Sequence, residues 1–329
     1  MLAARVSAFG RPEDVIEMVD LPDPGAAGPG EAVVEAVWCP INPADLVNME
    51  GAYGASRPDL PLVPGSEGVG RVTAIGSGVD HLRVGDLVLL PGPGTWQERV
   101  KVAAARLVAL PAGVDPQQLA MLRVNPPTAA VMLRDFVAPQ RGQWVIQNAA
   151  NSGVGRCLIR LAREAGMRSV NIVRRPELID TLRSFGADVV LEDGPGLRER
   201  VREAIGDGRL PLAIDAVGGR ATQRLARCVD DGGTVVNYGL LSGEPCMVDA
   251  RETIFRDVSL RGFWLRRWYQ QTPPDQVMAL YQELIARIAD GTLVVEVEAV
   301  YPAREIRAAV THAARAARAG KVLLSFAGA

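Results

Sequence analysis

Gln143 to Gly166 reads QWVIQNAANSGVGRCLIRLAREAG: a hydrophobic strand, a turn holding Gly153 and Gly155, and an amphipathic helix. Two glycines let a ligand approach the backbone closely. A helix opening near Val154 offers free N–H groups and its positive dipole end to a pyrophosphate. The spacing is A-x-x-G-x-G, short of the full G-x-G-x-x-G, and a glycine pair alone equally serves a tight turn. Context decides the matter, because the turn follows a strand, opens a helix and starts a series. SVNIV precedes PELIDTLRSFG, DVVLED precedes LRERVREAIG, LPLAIDAVGG precedes RATQRLARCVDDGG, and TVVNYG follows. Strands alternating with helices at this spacing argue βαβ units, hence an α/β fold with a doubly wound parallel sheet.

Outward from that centre the texture changes on both sides. Residues 1–115 hold short β-like runs, EAVVEAVWC, GVGRVTAIGSGV, GDLVLLPGPG and QERVKVAAARLVALP, separated by Gly and Pro. They read as a small barrel-like β unit. From Asp115 helical segments appear, interrupted by Asn125-Pro126-Pro127. Beyond Gly262 the stretch FWLRRWYQQTPP leads into a helix, and the tail returns to β texture, ending in KVLLSF. The expected organisation is a β-rich catalytic domain over 1–115, a Rossmann-type nucleotide domain over 116–287, and a return to the first domain over 288–329. The strand DVSLRG before Phe263 is a candidate for pairing across a homodimer.

Composition narrows the function classes. Of 329 residues 48% are apolar and the formal net charge is −2, so no basic field points to nucleic acid or an anionic membrane. No run reaches the roughly 18 apolar residues of a membrane helix. Cys39, Cys157, Cys228 and Cys246 form no C-x-x-C pair, which fits a reducing compartment, and a cytoplasmic protein is expected. Lysine occurs only at positions 101 and 321, which singles out Lys321 and Lys101 in an arginine-rich chain.

The strand SVNIV chooses between cofactors. An NAD enzyme usually ends this strand in an acidic residue for the ribose 2′-hydroxyl. Here Val173 is followed by Arg174 and Arg175, whose paired donors suit the 2′-phosphate of NADPH. Two solvated arginines on a turn are the plainer alternative.

A β-rich first unit, an inserted nucleotide unit and a β-returning tail together resemble the medium-chain dehydrogenase/reductase family, with its GroES-like catalytic domain. VPGSEGVGRVTAIGSGVDHLRVGDLV, Val63 to Val88, is similar to that family's long signature. Zinc-dependent members carry Cys and His where this chain has Asn42 and Ser66, and Asp86 to Gln97 holds no cysteine for a structural zinc lobe. No metal site is expected, and His81 and His312 read as surface residues. PINPADLVNMEGAYG, VNPPTAAVML, VIQNAANSGVG, GGTVVNYG and LRGFWLRRW, in order and at comparable spacing, resemble the zinc-free 2-enoyl thioester reductases of mitochondrial type. That resemblance implies Tyr53 as proton donor and Asn125 beside the nicotinamide. It carries further cofactor contacts onto Asn151, Ser152, Gly153, Val154 and Gly155, onto Arg174 and Arg175, and onto Tyr238, Gly239, Leu240 and Leu241. Phe263, Trp264, Leu265 and Lys321 complete the implied set. Arg174 and Arg175 are adjacent where the family shows Arg-x-Arg.

Reducing an α,β-unsaturated thioester needs a hydride at Cβ and a proton at Cα, with charge developing on the thioester oxygen between them. A phenol, ordinarily protonated at neutral pH, can supply that proton without a metal. The expected substrate is a small-molecule or carrier-bound acyl thioester. A zinc-free quinone or enone reductase is the enzymatic rival. A nucleotide-binding protein without catalysis is the rival from another class, and the missing basic stripe and the retained Tyr53 and Asn125 count against it.

Overall fold

The computed structural model describes residues 1–54, 57–138, 140–316 and 318–326. The chain forms two compact units, Met1–Val124 with Tyr281–Ala329, and Asn125–Leu280. The crossings thus fall after the helix Pro116–Ala120, which packs on strands of the first unit, and within the long helix Pro274–Ala289.

In the second unit six strands form one parallel sheet: β1 (Trp144–Gln147), β2 (Arg168–Val173), β3 (Val189–Glu192), β4 (Leu212–Asp215), β5 (Thr234–Asn237) and β6 (Ser259–Gly262). Their spatial order is β3-β2-β1-β4-β5-β6, with the order reversing between β1 and β4. This is the doubly wound order whose switch point opens a crevice at the carboxyl ends of the strands. β1 and β4 are buried along their whole length, as strands covered on both faces by helices must be, and their runs WVIQ and LAID are correspondingly apolar. β6 is exposed throughout and forms one edge of the sheet. Ile146, Val170, Ala213, Val235 and Leu225 centre one of the unit's cores.

The first unit is organised around the strand Glu31–Pro40. Val69–Ile75 pairs antiparallel with it along one edge, and the other edge is shared in succession by Arg99–Ala103 and Lys321–Ser325. Register shifts between Val33 and Val34 and between Ala36 and Trp38 mark bulges, which bend a strand and increase its twist. Val297–Pro302 joins in parallel beyond Lys321–Ser325, so the C-terminal tail returns to this unit's sheet. Ile41, Met49, Trp96, Val322 and Leu324 lie in its core.

Asn125-Pro126-Pro127 does not interrupt a helix. The break is the turn Met121–Val124, and the prolines occupy the first turn of the helix Asn125–Asp135, where a missing N–H costs nothing.

Candidate active site

After β1 the chain turns through Asn148, Ala149 and Ala150 into the helix Gly153–Glu164. Ala149 sits at φ 47°, an uncommon backbone state for a residue with a side chain. The turn is held by Ser152 N–H donating to the Ala149 carbonyl (2.9 Å) and by Gly155 N–H donating to the capping Ser152 Oγ (3.1 Å). Gln147 Nε2 reaches from β1 to the Gly155 carbonyl (2.9 Å) and to Asn171 Oδ1 on β2 (2.7 Å). A Cβ on Gly155 would lie 2.5 Å from the Ala150 carbonyl oxygen, so only glycine fits there. Val154 is buried, and Asn151, Ser152 and Gly153 are half-buried along the turn.

Asn125 meets this turn. A Cβ on Gly153 would stand 3.1 Å from both Cγ and Nδ2 of Asn125. The Asn125 amide is buried, and Nδ2 has no hydrogen-bond partner among the described residues. A buried donor left unpaired costs about 1–3 kcal/mol. A carbonyl-bearing ligand at the glycine turn, such as a nicotinamide carboxamide, would relieve it.

Tyr238 and Gly239 follow β5. The Tyr238 hydroxyl is hydrogen-bonded with the Ser152 side chain, and burial pushes the phenol well above its usual range, so it stays neutral. A Cβ on Gly239 would come within 2.5 Å of the Ala216 carbonyl oxygen. Leu240 and Leu241 project into solvent, an unusual exposure for two adjacent leucines. At the end of β2, Arg174 is exposed and Arg175 is half-buried, 3.9 Å from Glu177. Phe263 follows β6 and packs edge-on against Phe136 with centroids 6.0 Å apart; Trp264 caps the helix Leu265–Gln271 under the Arg266 guanidinium.

The first unit holds Tyr53 and Lys321. Tyr53 is half-buried on a bend between Gly51 (φ 72°) and Gly54 (φ 90°), directly after the helix Pro43–Met49. Lys321, expected among the cofactor contacts, is buried, and its ammonium donates to Asn42 Oδ1. Asn42 Nδ2 donates to Glu67 Oε1 (2.8 Å) and lies 3.4 Å from Ser66 Oγ. Burial pushes the Glu67 carboxyl up to about 7 and the Asp45 carboxyl up to about 6, although Lys321 pulls both down. Cys39 is buried, its thiol directed at the Thr95 carbonyl (3.3 Å), and burial pushes it up. An amide, a hydroxyl and an ammonium stand where a zinc ion would need thiolate or imidazole ligands; this donor set does not fit one.

Comparison with known proteins places these features in a lineage. Residues 28–112 match the alcohol dehydrogenase GroES-like domain and residues 153–283 match the zinc-binding dehydrogenase domain. The human mitochondrial enoyl-[acyl-carrier-protein] reductase is 39% identical over 299 residues, 87% of this chain and 79% of that protein. The chain belongs to the enoyl-[acyl-carrier-protein] reductase family. It is therefore an enoyl reductase-type oxidoreductase of the medium-chain dehydrogenase/reductase fold. Among solved structures, a putative NADPH:quinone reductase from Bacillus thuringiensis superposes with a TM-score of 0.89 at 31% identity, covering 98% of each chain. The complex of Etr1p from Candida tropicalis with NADP and crotonyl-CoA gives a TM-score of 0.87 at 25% identity, over 98% of this chain and 99% of that one.

Sequence reasoning overlooked what holds the carboxyl-end loops of this enoyl reductase. Asp215, fully buried at the end of β4, accepts from Asn148 Nδ2 (2.6 Å), Thr222 Oγ1 (2.6 Å), Asn237 Nδ2 (3.1 Å) and the Val217 and Gly218 amides (2.9 and 3.1 Å). It ties the ends of β1, β4 and β5 together beside the glycine turn. The signal was present in LPLAIDAVGG, an aspartate closing an apolar strand before glycines. His312 also differs from expectation: its side chain is 13% exposed, 3.0 Å from both Tyr301 Oη and Glu298 Oε1, whereas the His81 side chain is 48% exposed.

Proposed function

We propose that the chain reduces the C2=C3 double bond of a trans-2-enoyl thioester, carried on coenzyme A or an acyl carrier, with NADPH as reductant. The buried Asn125 amide against Gly153, whose Nδ2 has no partner among the described residues, carries this reading, since it supplies an oriented donor at the glycine turn. NADPH, when bound, supplies the hydride for Cβ. The helix start at Gly153 and Val154 offers its first amides to the pyrophosphate, and Arg174 and Arg175 offer guanidinium donors to the 2′-phosphate. Tyr53 gives its phenolic proton to Cα of the developing enolate. Zinc takes no part, because Asn42 and Ser66 stand at the positions of its Cys and His ligands, and the Asn42 amide is engaged by Lys321 and Glu67. The likeness to a putative NADPH:quinone reductase supports a second reading, reduction of quinones or enones.

Initial rates with crotonyl-CoA and with benzoquinone, each with NADPH and NADH, test these readings. NADPH oxidation by crotonyl-CoA without benzoquinone turnover is the expected result; the reverse pattern transfers the assignment to the quinone. The four free cysteines suit a reducing cytoplasm. We assign a homodimer formed through β6, an exposed sheet edge beside the projecting Ile254 (69% exposed) and Phe255 (76%).

A further inference from the structure

The helix that leads to Tyr53 and the turn that ends at Val124 are far apart in sequence, yet they meet in one buried network of the first unit. The first is the helix Pro43–Met49. Its cap, Asn42, donates its backbone N–H to Asp45 Oδ2 (2.8 Å), completing a capping box. At the other end Ala52 N–H bonds back to the Val47 carbonyl (3.1 Å), and Gly51 turns the chain into Tyr53. The second segment ends at Val124, whose N–H donates to Glu67 Oε2 (2.9 Å); the next residue is Asn125.

Glu67 joins the two. One carboxylate oxygen takes the Asn42 side-chain amide and the other takes the Val124 backbone amide. Glu67 is fully buried, and its own carbonyl accepts from Thr95 Oγ1 (2.8 Å), which leaves it no freedom to swing away. Lys321 sets the direction of the link. An ammonium only donates, so Asn42 must present Oδ1 to Lys321, which turns Nδ2 toward Glu67. The buried ammonium also compensates the buried carboxylates.

We propose that Glu67 is a positioning residue of the reaction: linked through Asn42 to its counter-ion Lys321, it ties the helix that leads to Tyr53 to the chain at Val124, and so holds Tyr53 in place without touching substrate. This rests on the reading of Tyr53 as proton donor. Displacing a proton donor by about 1 Å costs up to about 10²-fold in rate, so the relay acts on turnover rather than on cofactor affinity.

A double-mutant cycle on the full chain tests it, using wild type, Tyr53→Phe, Glu67→Gln and the double variant with crotonyl-CoA and NADPH. Glu67→Gln cannot accept from both amides. It should lower kcat by about 10–10²-fold, with the KM for NADPH held within about twofold. Tyr53→Phe should lower kcat by about 10²–10⁴-fold, the range for losing a general acid. In the Tyr53→Phe background Glu67→Gln should then add little, because there is no phenol left to position. Independent, multiplying losses overturn the relay while leaving Tyr53 in its role. A Tyr53→Phe variant that turns over like wild type overturns the proton-donor reading, and the relay with it. Should Glu67→Gln not fold, Glu67→Asp keeps the charge but is one methylene too short to hold both amides, and the same cycle applies. Lys321→Met should share the kcat loss at unchanged NADPH KM; a selective rise in that KM instead would assign Lys321 to the cofactor and remove it from the relay.

Discussion

The glycine turn of the second unit and the polar cluster of the first unit are built in opposite ways. The turn is made of backbone: contiguous residues from Gln147 to Gly155, a strained Ala149, and a Gly155 whose place no side chain can take. The cluster is made of side chains drawn from Asn42, Asp45, Glu67 and Lys321, almost the full length of the chain, and sealed from water. A backbone site fails when an atom is added. A buried charge cluster fails when an atom of the right polarity is taken away or a charge is left alone.

The first half of that contrast is open to a single methyl group. In Gly155→Ala the new Cβ would meet the Ala150 carbonyl oxygen at 2.5 Å, backbone against backbone, so the turn must deform. Overpacking of this kind costs about 1–3 kcal/mol and moves the amides that would face a pyrophosphate. The expected outcome is a melting temperature several degrees lower and NADPH binding, followed by fluorescence titration, weakened beyond tenfold. Unchanged affinity would mean that the turn is not where the phosphates sit.

The same contrast explains how much of the molecule is legible in its sequence. The turn and the β1–β6 series announce themselves locally, because glycine spacing and apolar periodicity act over a few residues. The GroES-like unit, too, was visible in its short β runs and in the long signature from Val63. The cluster is different. INPAD shows a cap, and nothing in its neighbourhood shows that Lys321 lies on Asn42 or that Glu67 reaches Val124. The Lys321 contact exists only once Lys321–Ser325 has paired with the end of Glu31–Pro40. Lys321 illustrates the limit: its rarity marked it as significant, while its partner depended on that pairing. Asp215 was lost for a related reason, since its role comes from three strand ends converging on one carboxylate.

Between the two extremes lies Arg174, a side chain on the backbone-built unit. It is exposed at the end of β2 and donates to nothing among the described residues, so its removal leaves the fold intact. Charge-assisted hydrogen bonds contribute about 1.5–3 kcal/mol, or about 10–10²-fold in affinity. Arg174→Ala should therefore raise the KM for NADPH by about that factor and leave the KM for NADH unchanged. An equal rise for both cofactors would place the arginine elsewhere than at the 2′-phosphate.

The smallest effect is a signature that only the first unit can give. Burial raises the folded carboxyl of Glu67 from its ordinary 4.5 to about 7, and that of Asp45 from 3.8 to about 6, against the pull of Lys321. Above its ordinary value each unfolded carboxyl has released a proton that the folded protein still holds. Stability is therefore greatest at the acid side of this window and falls as pH rises, from about 4 to about 7. A single proton sets a limiting slope of about 1.4 kcal/mol per pH unit. Urea unfolding at half-unit steps of pH should show that decline, and Glu67→Gln should flatten it between about pH 6 and 7 while leaving the share of Asp45 below about 6. A wild-type stability that climbs across pH 5–7 would mean that Lys321 outweighs burial, leaving Glu67 ionised throughout and the cluster a settled ion pair.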